Sequence, residues 1–134
     1  MQQRVSRSLP TIETSRLVLR ARATGEPDTL GMTILLKPGL FEAGWIQFDL
    51  RDAVEREVEL RFFLQPPFRG RELMREAARA AAPQALRLLG ARLLYATLPA
   101  DALAAQQVAR ALGLAPSPGR GPMRRFEKDL GGLI

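Results

Sequence analysis

The stretch VELRFFLQPPFRGRELMREA, residues 58–77, decides the fold of this chain. Its first part, Val58–Leu64, is an apolar and aromatic run that ends at two prolines, so we expect a strand with a fixed end. From Arg71 to Leu89 the chain is rich in Ala, Leu, Arg and Glu, which are the best helix formers. The stretch therefore predicts a strand, a short loop and a helix in direct succession.

Prolines and a glycine mark this helix and the strand that follows it. Pro83 lies inside the predicted helix and should kink or divide it, and Gly90 should cap its end. Leu93–Leu98 (LLYATL) is short, continuously apolar and followed by Pro99, as expected of a buried central strand. Tyr95 is accordingly expected to be a core residue.

The segments before this unit are predicted to be antiparallel strands. Arg16–Arg22 (RLVLRAR) places leucines between arginines, which indicates a half-buried strand. Met32–Leu36 and Trp45–Leu50 flank a turn at Pro38–Gly39, and the second segment alternates Trp, Gln and Asp with Ile, Phe and Leu. This pattern is typical of a β-hairpin.

A second helix and a last strand are predicted towards the C-terminus. Asp101 is a good N-cap, and apolar residues recur on one helix face until Gly113, where a left-handed C-cap is expected. Met123–Leu130 has the pattern of a strand. Antiparallel strands, followed by strand, helix, strand, helix and strand, give an α+β fold with one parallel crossover at its centre.

Composition limits the size of the core and the chemistry available to it. A chain of 134 residues with 46% hydrophobic residues can bury one core, so we expect one domain over residues 1–134, with residues 1–10 disordered. The chain has no cysteine and no histidine, which excludes disulfides, thiolate nucleophiles, Ser/His relays and the usual zinc sites. We expect no metal cofactor.

Charge and hydropathy bear on partners and location. The net charge of +6 comes almost wholly from arginine, so an anionic partner such as a phosphate-bearing cofactor is plausible. Nucleic acid is not favoured, because the arginines are spread along the chain and aromatic residues make up only 6% of it. The sequence has no run of about 18 apolar residues and no signal-like start, so we expect a cytoplasmic protein with no membrane partner.

Three stretches carry a resemblance to a known family. Ile12–Arg20 (IETSRLVLR), Val58–Ala77 and Asp101–Leu114 (DALAAQQVARALGL) resemble the acetyl-CoA-dependent N-acetyltransferases of the GNAT superfamily, in the branch of the ribosomal-protein N-terminal acetyltransferases. The resemblance implies a mixed, mostly antiparallel sheet flanked by helices. Only residues 23–31 separate the first strand from the hairpin, so the first two helices of the family should be shortened or missing.

The loop between the central strand and its helix is the predicted coenzyme site. A loop that opens a helix presents unpaired backbone N–H groups and positive helix-dipole potential, so a pyrophosphate can bind there. The alternative is an ordinary strand-to-helix turn with solvated arginines. The resemblance implies that acetyl-CoA is bound by seven residues: Phe63, Leu64, Arg69, Gly70, Arg71, Leu73 and Met74.

The resemblance also implies the catalytic groups. In the family, the backbone at the splayed end of the fourth strand, here Phe62–Leu64, polarises the thioester carbonyl. Glu59 matches a glutamate common on that strand, and is the candidate base for the amine, acting directly or through water. Alternatively, Glu59 is an outward-facing strand residue paired with Arg61 or Arg56.

Three positions depart from the family pattern. Glu72 stands where the loop normally has its second glycine, and it would repel phosphate unless it turns outward to pair with Arg75 or Arg79. Ala102 and Ala105 replace an asparagine and a serine, which removes the usual general acid.

Two functions therefore remain open. One is an N-acetyltransferase that acetylates a primary amine, either a protein N-terminus or a small amine, with acetyl-CoA as the substrate. The other is a degenerate, non-catalytic domain that binds protein or nucleotide. A homodimer is one option for either, through the exposed edge of the fourth strand or through the hairpin.

Overall fold

A computed structural model describes residues 8–131 of the chain. It contains eight strands and two helices, with a short 3-10 turn at Pro66–Phe68. The strands are β1 (Ile12–Glu13), β2 (Leu17–Arg22), β3 (Thr29–Leu36), β4 (Phe41–Asp52), β5 (Glu57–Leu64), β6 (Leu93–Pro99), β7 (Ala115–Pro116) and β8 (Met123–Asp129), and the helices are α1 (Leu73–Leu89) and α2 (Leu103–Ala111).

All eight strands form one sheet in the order β1-β2-β3-β4-β5-β6-β8-β7. Every neighbouring pair is antiparallel except β5 and β6, which are parallel. The predicted α+β fold with one central parallel crossover is therefore confirmed. Within residues 8–131, β2 and β3 are joined by a helix-free connection, so the first two helices of the family are missing there.

The hydrophobic core lies on one face of the sheet, beneath both helices. Alternate residues of each long strand point into it, and the largest fully buried side chains include Phe48 and Phe126. The larger side chains on the inner face of α1 lie at its ends, and the middle of that face is made of small residues that are at least 96% buried, namely Ala77, Ala78, Ala81, Ala82 and Ala85. Because these side chains are small, α1 can pack close to the sheet.

The predicted glycine caps of both helices are confirmed, whereas the predicted aspartate cap of α2 is wrong. Gly90 and Gly113 adopt left-handed conformations at the ends of α1 and α2, with φ values of 61° and 89°. Pro83 does not divide α1, which is one helix from Leu73 to Leu89. Asp101 is not the N-cap of α2, because that position is taken by Ala102, which makes no side-chain capping bond.

The predicted disorder of residues 1–10 concerns two different parts of the chain. Residues 1–7 lie outside the described residues. Leu9, by contrast, is only 3% exposed and belongs to the core cluster, so the expectation fails for the end of this segment. No helix of residues 8–131 is long and apolar enough to cross a lipid bilayer.

One carboxylate of α1 ties the N-terminal strands to the helix. The Thr14 hydroxyl donates to Glu76 Oε2 at 2.5 Å, the Arg16 backbone N–H donates to the same oxygen at 3.1 Å, and Arg16 Nε donates to Oε1 at 2.7 Å. Burial raises the pKa of Glu76, but these hydrogen bonds and the Arg16 charge outweigh it, so the pKa lies below its ordinary value. The ionised carboxylate therefore stabilises the fold.

We expect Glu76→Gln to lower the free energy of unfolding by about 1 to 2 kcal/mol at pH 7, because three donors lose a charged acceptor. The pKa of Glu76 is lower in the folded state, so its contribution is complete above its unfolded pKa of about 4.3 and disappears as pH falls through the folded value. Urea unfolding at neutral and acid pH measures both effects.

Glu55→Gln is the matched control, because Glu55 is exposed and its side chain makes no hydrogen bond or ion pair that the described residues reveal. The control should change stability by no more than about 0.5 kcal/mol at any pH. Equal effects of the two variants would show that the Glu76 contacts do not stabilise the fold.

Candidate active site

The sheet opens between its two parallel strands. β5 and β6 pair over only three residue pairs, of which the last joins Glu59 to Tyr95. Beyond this rung, residues 60–64 of β5 pair only with β4. The split leaves residues 60–64 of β5 with one backbone edge that is not paired with another strand, and such an edge can bind another extended group.

The loop at the open end of the split resembles an anion-binding turn. Gly70 has a φ of 82°, and nothing lies within 4 Å of the position where its Cβ would be. The first turn of α1 has no side-chain cap, so its backbone N–H groups face the loop without a capping side chain. A phosphate group would complement these N–H groups and the helix dipole.

The two arginines of the loop contact the protein itself. Arg69 Nε donates to the Leu64 carbonyl at 2.8 Å, and its guanidinium lies 5.5 Å from the centre of the Phe63 ring. Arg71 Nη2 reaches the Pro67 carbonyl at 3.5 Å. Both side chains remain exposed, so an anion at the loop can compete with these carbonyl oxygens for the guanidinium groups.

The other predicted coenzyme residues divide into buried and exposed ones. The side chains of Leu73 and Met74 are 1% and 4% exposed and belong to the core, so only their backbone N–H groups can face a ligand. Phe63 is 43% exposed and lies on the face opposite the helices, whereas the partly buried Leu64 packs against the core.

Glu72 adopts a left-handed backbone conformation, which glycine adopts more readily than any other residue. Its φ of 59° and ψ of 23° are left-handed, which costs a non-glycine residue about 1 kcal/mol. Its carboxylate turns outward and pairs with Arg75 at 3.0 Å, one of the two partners expected from the sequence. This ion pair partly neutralises the negative charge that Glu72 places beside the loop.

Glu59 is held by an arginine that the sequence did not suggest. Arg51 Nε donates to Glu59 Oε1 at 2.9 Å. Neither expected partner contacts it, because Arg61 binds Asp49 and Arg56 binds the carbonyl oxygens of Leu89 and Gly90. The Glu59 side chain retains 19% exposure, so a small group can still reach it.

Asp49 is a buried charged residue that sequence reasoning missed. It is 1% exposed and accepts hydrogen bonds from Gln47 Nε2 at 2.8 Å, Arg61 Nε at 2.8 Å and Arg51 Nη2 at 3.2 Å. Because Arg51 binds both carboxylates, Asp49 also fixes the arginine that holds Glu59. The available signal was its place in the alternating WIQFDL segment, which indicates the face of the strand on which a side chain lies. Alternation does not reveal that arginine side chains cover an acidic residue on that face.

The prediction that Tyr95 is a core residue was wrong. Its neighbours Leu94 and Ala96 point into the core, so Tyr95 lies on the opposite face, half-buried. Its ring lies 3.9 Å from the Arg125 guanidinium. Burial, and then the charge of Glu59, raise the pKa of Tyr95, so its hydroxyl remains protonated at neutral pH.

The two alanines that stand where the family has polar residues lie at the start of α2. Ala102 is the N-cap of α2, and Ala105 packs against the core from the same helix. Neither side chain can donate a proton. Among residues 8–131, no group of three or more Asp or Glu side chains is arranged to hold a metal ion.

A mixed sheet that splits between two parallel strands, with a glycine-containing loop opening a helix beside the split, defines the acyl-CoA N-acyltransferase class of fold. The family model described as an acetyltransferase (GNAT) domain matches residues 2–115. The chain belongs to the GNAT acetyltransferase family. No curated protein matches it.

Solved structures of three acetyltransferases share the fold at low sequence identity. An acetyltransferase from Agrobacterium tumefaciens is 19% identical, with a TM-score of 0.71 over 96% of this chain and 99% of that one. RimL, a ribosomal α-N-protein acetyltransferase, is 14% identical, with a TM-score of 0.72 over 87% and 95% of the chains. The dodecameric spermidine N-acetyltransferase from Vibrio cholerae is 12% identical, with a TM-score of 0.71 over 87% and 95%.

We expect Glu72→Gly to bind acetyl-CoA about three- to tenfold more tightly, because it removes a negative charge and a side chain from the loop. It should also raise the free energy of unfolding by up to about 1 kcal/mol, because glycine adopts this backbone conformation without strain. Calorimetric titration and urea unfolding measure the two effects.

Glu72→Gln is the matched control, because it removes the charge and keeps the strained backbone. A gain in affinity shared by both variants would assign the effect to charge, and a gain only in the glycine variant would assign it to the side chain and backbone. Unchanged or weaker binding by Glu72→Gly would contradict the explanation.

Proposed function

We propose that this chain is an acetyl-CoA-dependent N-acetyltransferase that acts on a primary amine, either a protein N-terminus or a small amine. The observation that carries the proposal is the split between β5 and β6, which has Glu59 on its last paired rung. The family membership supports the reaction class. The split supplies a place where a donor and an amine can meet.

The donor would bind along the free edge of β5. Backbone groups of Phe62–Leu64 can pair with the amide groups of the pantetheine arm, as a strand pairs with a peptide. The N–H groups of Leu73 and Met74, together with Gly70, Arg69 and Arg71, would hold the pyrophosphate. Acetyl-CoA, when bound, supplies an acetyl group activated as a thioester.

The residues of the chain then have three roles in the transfer. A backbone N–H of the β5 edge polarises the thioester carbonyl, which the amine nitrogen attacks. A C–N bond forms, the C–S bond breaks, and Glu59 accepts the amine proton directly or through water. Tyr95 faces Glu59 across the last rung and stays protonated. We therefore assign Tyr95 as the acid that donates a proton to the leaving thiolate.

A second candidate function is a non-catalytic domain of the same fold that binds protein or nucleotide. It is supported by Glu72, which places a strained backbone and a charge in the loop, and by the apolar Ala102 and Ala105. Arg69 also supports it, because its guanidinium binds the Leu64 carbonyl of β5 and does not point into the loop. This candidate predicts a folded protein without acetyl transfer.

Calorimetric titration of the full chain with acetyl-CoA, with ATP as the control for general anion binding, separates the two candidates at their first step. We expect affinity in the micromolar range and a clear preference for acetyl-CoA, because the β5 edge recognises a group that ATP lacks. Binding equal to that of ATP would favour the non-catalytic domain.

We expect Glu59→Gln to lower kcat at neutral pH by about 10²- to 10⁴-fold, because it removes the proton acceptor, while acetyl-CoA affinity changes little. The rate is measured with the amine found to be acetylated in a screen that includes peptides and polyamines. Tyr95→Phe is the companion variant and should also lower kcat rather than coenzyme affinity.

Glu57→Gln is the matched control, because Glu57 lies on the same face of β5 at the other end of the short parallel ladder. Its only ion pair, among the residues described, is a 3.9 Å contact with Arg125. An unchanged rate in Glu59→Gln, or an equal loss in Glu57→Gln, would remove Glu59 from the mechanism.

A further inference from the structure

The face of the sheet opposite the helices, which we call the open face, is ordered in rows by the strand register. The first row runs across β2 to β5 through Arg20, Thr33, Trp45 and Phe63. The second contains Arg22, Gly31, Gln47 and Arg61. The third crosses the last paired rung beside the split and contains Thr29, Asp49, Glu59, Tyr95 and Glu127.

The open face is a broad surface. Both helices of the described residues lie on the other side of the sheet. Two cavities, of about 530 and 250 Å³, are also on that side, because residues of the helices line them. On the open face, Phe63 remains 43% exposed and the Arg61 side chain 42% exposed. Small ligands bind in concave sites, whereas a surface of this kind suits a macromolecule.

Two arginines of the first two rows carry positive charge that no described carboxylate neutralises. Arg20 and Arg22 are exposed, and within residues 8–131 neither lies within ion-pair distance of a carboxylate. By contrast, Arg61 is bound to buried Asp49. Unpaired arginines attract carboxylates on a partner and repel a polycation.

Aromatic rings lie between these arginines. Trp45 and Phe63 face each other across β4 and β5, with ring centres 6.4 Å apart. The Arg22 guanidinium lies 4.9 Å from the centre of the Trp45 ring. Trp, Tyr and Arg are the residues that most often dominate the binding energy of protein interfaces.

We propose that the amine acceptor is the N-terminal segment of a polypeptide with acidic side chains a few residues after its amino group. It docks on Arg20, Arg22, Trp45, Arg61 and Phe63, which we call the acceptor surface, and its amino group reaches Glu59. The inference rests on the proposed function, and it selects an acidic polypeptide over a small polyamine.

Strand spacing sets the position of the acidic residues. Arg22 pairs through β3 and β4 with Arg61, which is three strand spacings away. Arg61 in turn lies two residues along β5 from Glu59. With strands about 4.8 Å apart and residues about 3.3 Å apart along a strand, this corresponds to about 16 Å, or about five extended residues. The acidic side chains should therefore follow the amino terminus by about four or five residues.

The chain contains its own reporter for this test, because Trp45 is its only tryptophan and belongs to the acceptor surface. Tryptophan-free peptides are added while Trp45 fluorescence is recorded, without coenzyme. The probes are a short peptide with Asp and Glu near its free N-terminus, the same peptide with Asn and Gln instead, a basic version, and spermidine. Each titration is repeated at about 0.5 M salt, where charge attraction is screened.

We expect the acidic peptide to bind at least about tenfold more tightly than its amide version, and spermidine and the basic peptide to bind most weakly. Higher salt should remove most of the difference. The double variant Arg20→Gln/Arg22→Gln should weaken acidic-peptide binding about tenfold or more. Arg87→Gln/Arg92→Gln removes the same charge from exposed positions outside the acceptor surface and should not weaken it.

Equal binding of the acidic and amide peptides, preference for spermidine, or equal effects of the two double variants would overturn the inference. The proposed function fails separately. If the acidic peptide binds but acetyl-CoA does not, the acceptor surface stands and acetyl transfer does not. If acetyl-CoA binds and spermidine is acetylated in preference to every peptide, acetyl transfer stands and the acceptor surface does not.

Discussion

The short parallel ladder between β5 and β6 is the constraint on which this structure depends. It joins the antiparallel N-terminal strands to the C-terminal part of the sheet, yet it contains only three residue pairs. A longer ladder would close the split and occupy the edge of β5. A shorter one would leave α1 as the main connection between the two parts. The strands pair just far enough to align Glu59 with Tyr95 and then separate, which creates the split of the candidate site.

Local signals in the sequence predicted most of the fold. The alternating segments became strands, and Gly90 and Gly113 adopted the positive φ angles that helix ends favour. Tyr95 was misplaced because a continuous apolar run normally indicates a parallel strand covered on both faces. Within residues 8–131 the helices cover only one face, and the pattern within a strand does not reveal whether the other face is covered. Asp101 failed as a cap because the turn before α2 extends one residue further.

The secondary structure around the candidate site was predicted better than the contacts of its side chains. The strand, the loop and the helix were predicted because a proline-terminated strand followed by helix formers is a local pattern, whereas Glu59 was selected from the resemblance to the family. The partner of Glu59 depends on tertiary register, which one sequence does not determine. A register shift between Leu50 and Asp52 leaves Arg51 without a directly opposite residue on β5, and its side chain reaches Glu59 instead. Asp49 was missed for the same reason, because its burial is created by Arg51 and Arg61.

The alanine-rich inner face of α1 has a consequence for how this protein can diverge in sequence. A buried alanine can be exchanged for a larger residue only if the helix moves outward, and glycine in its place would weaken the helix. The inner positions are therefore nearly closed to variation, while the outer positions of the same helix are open to it. An outward movement of α1 would also carry Gly70 and the first helical N–H groups away from β5. Substitutions in the middle of this helix can thus impair a loop that they never touch.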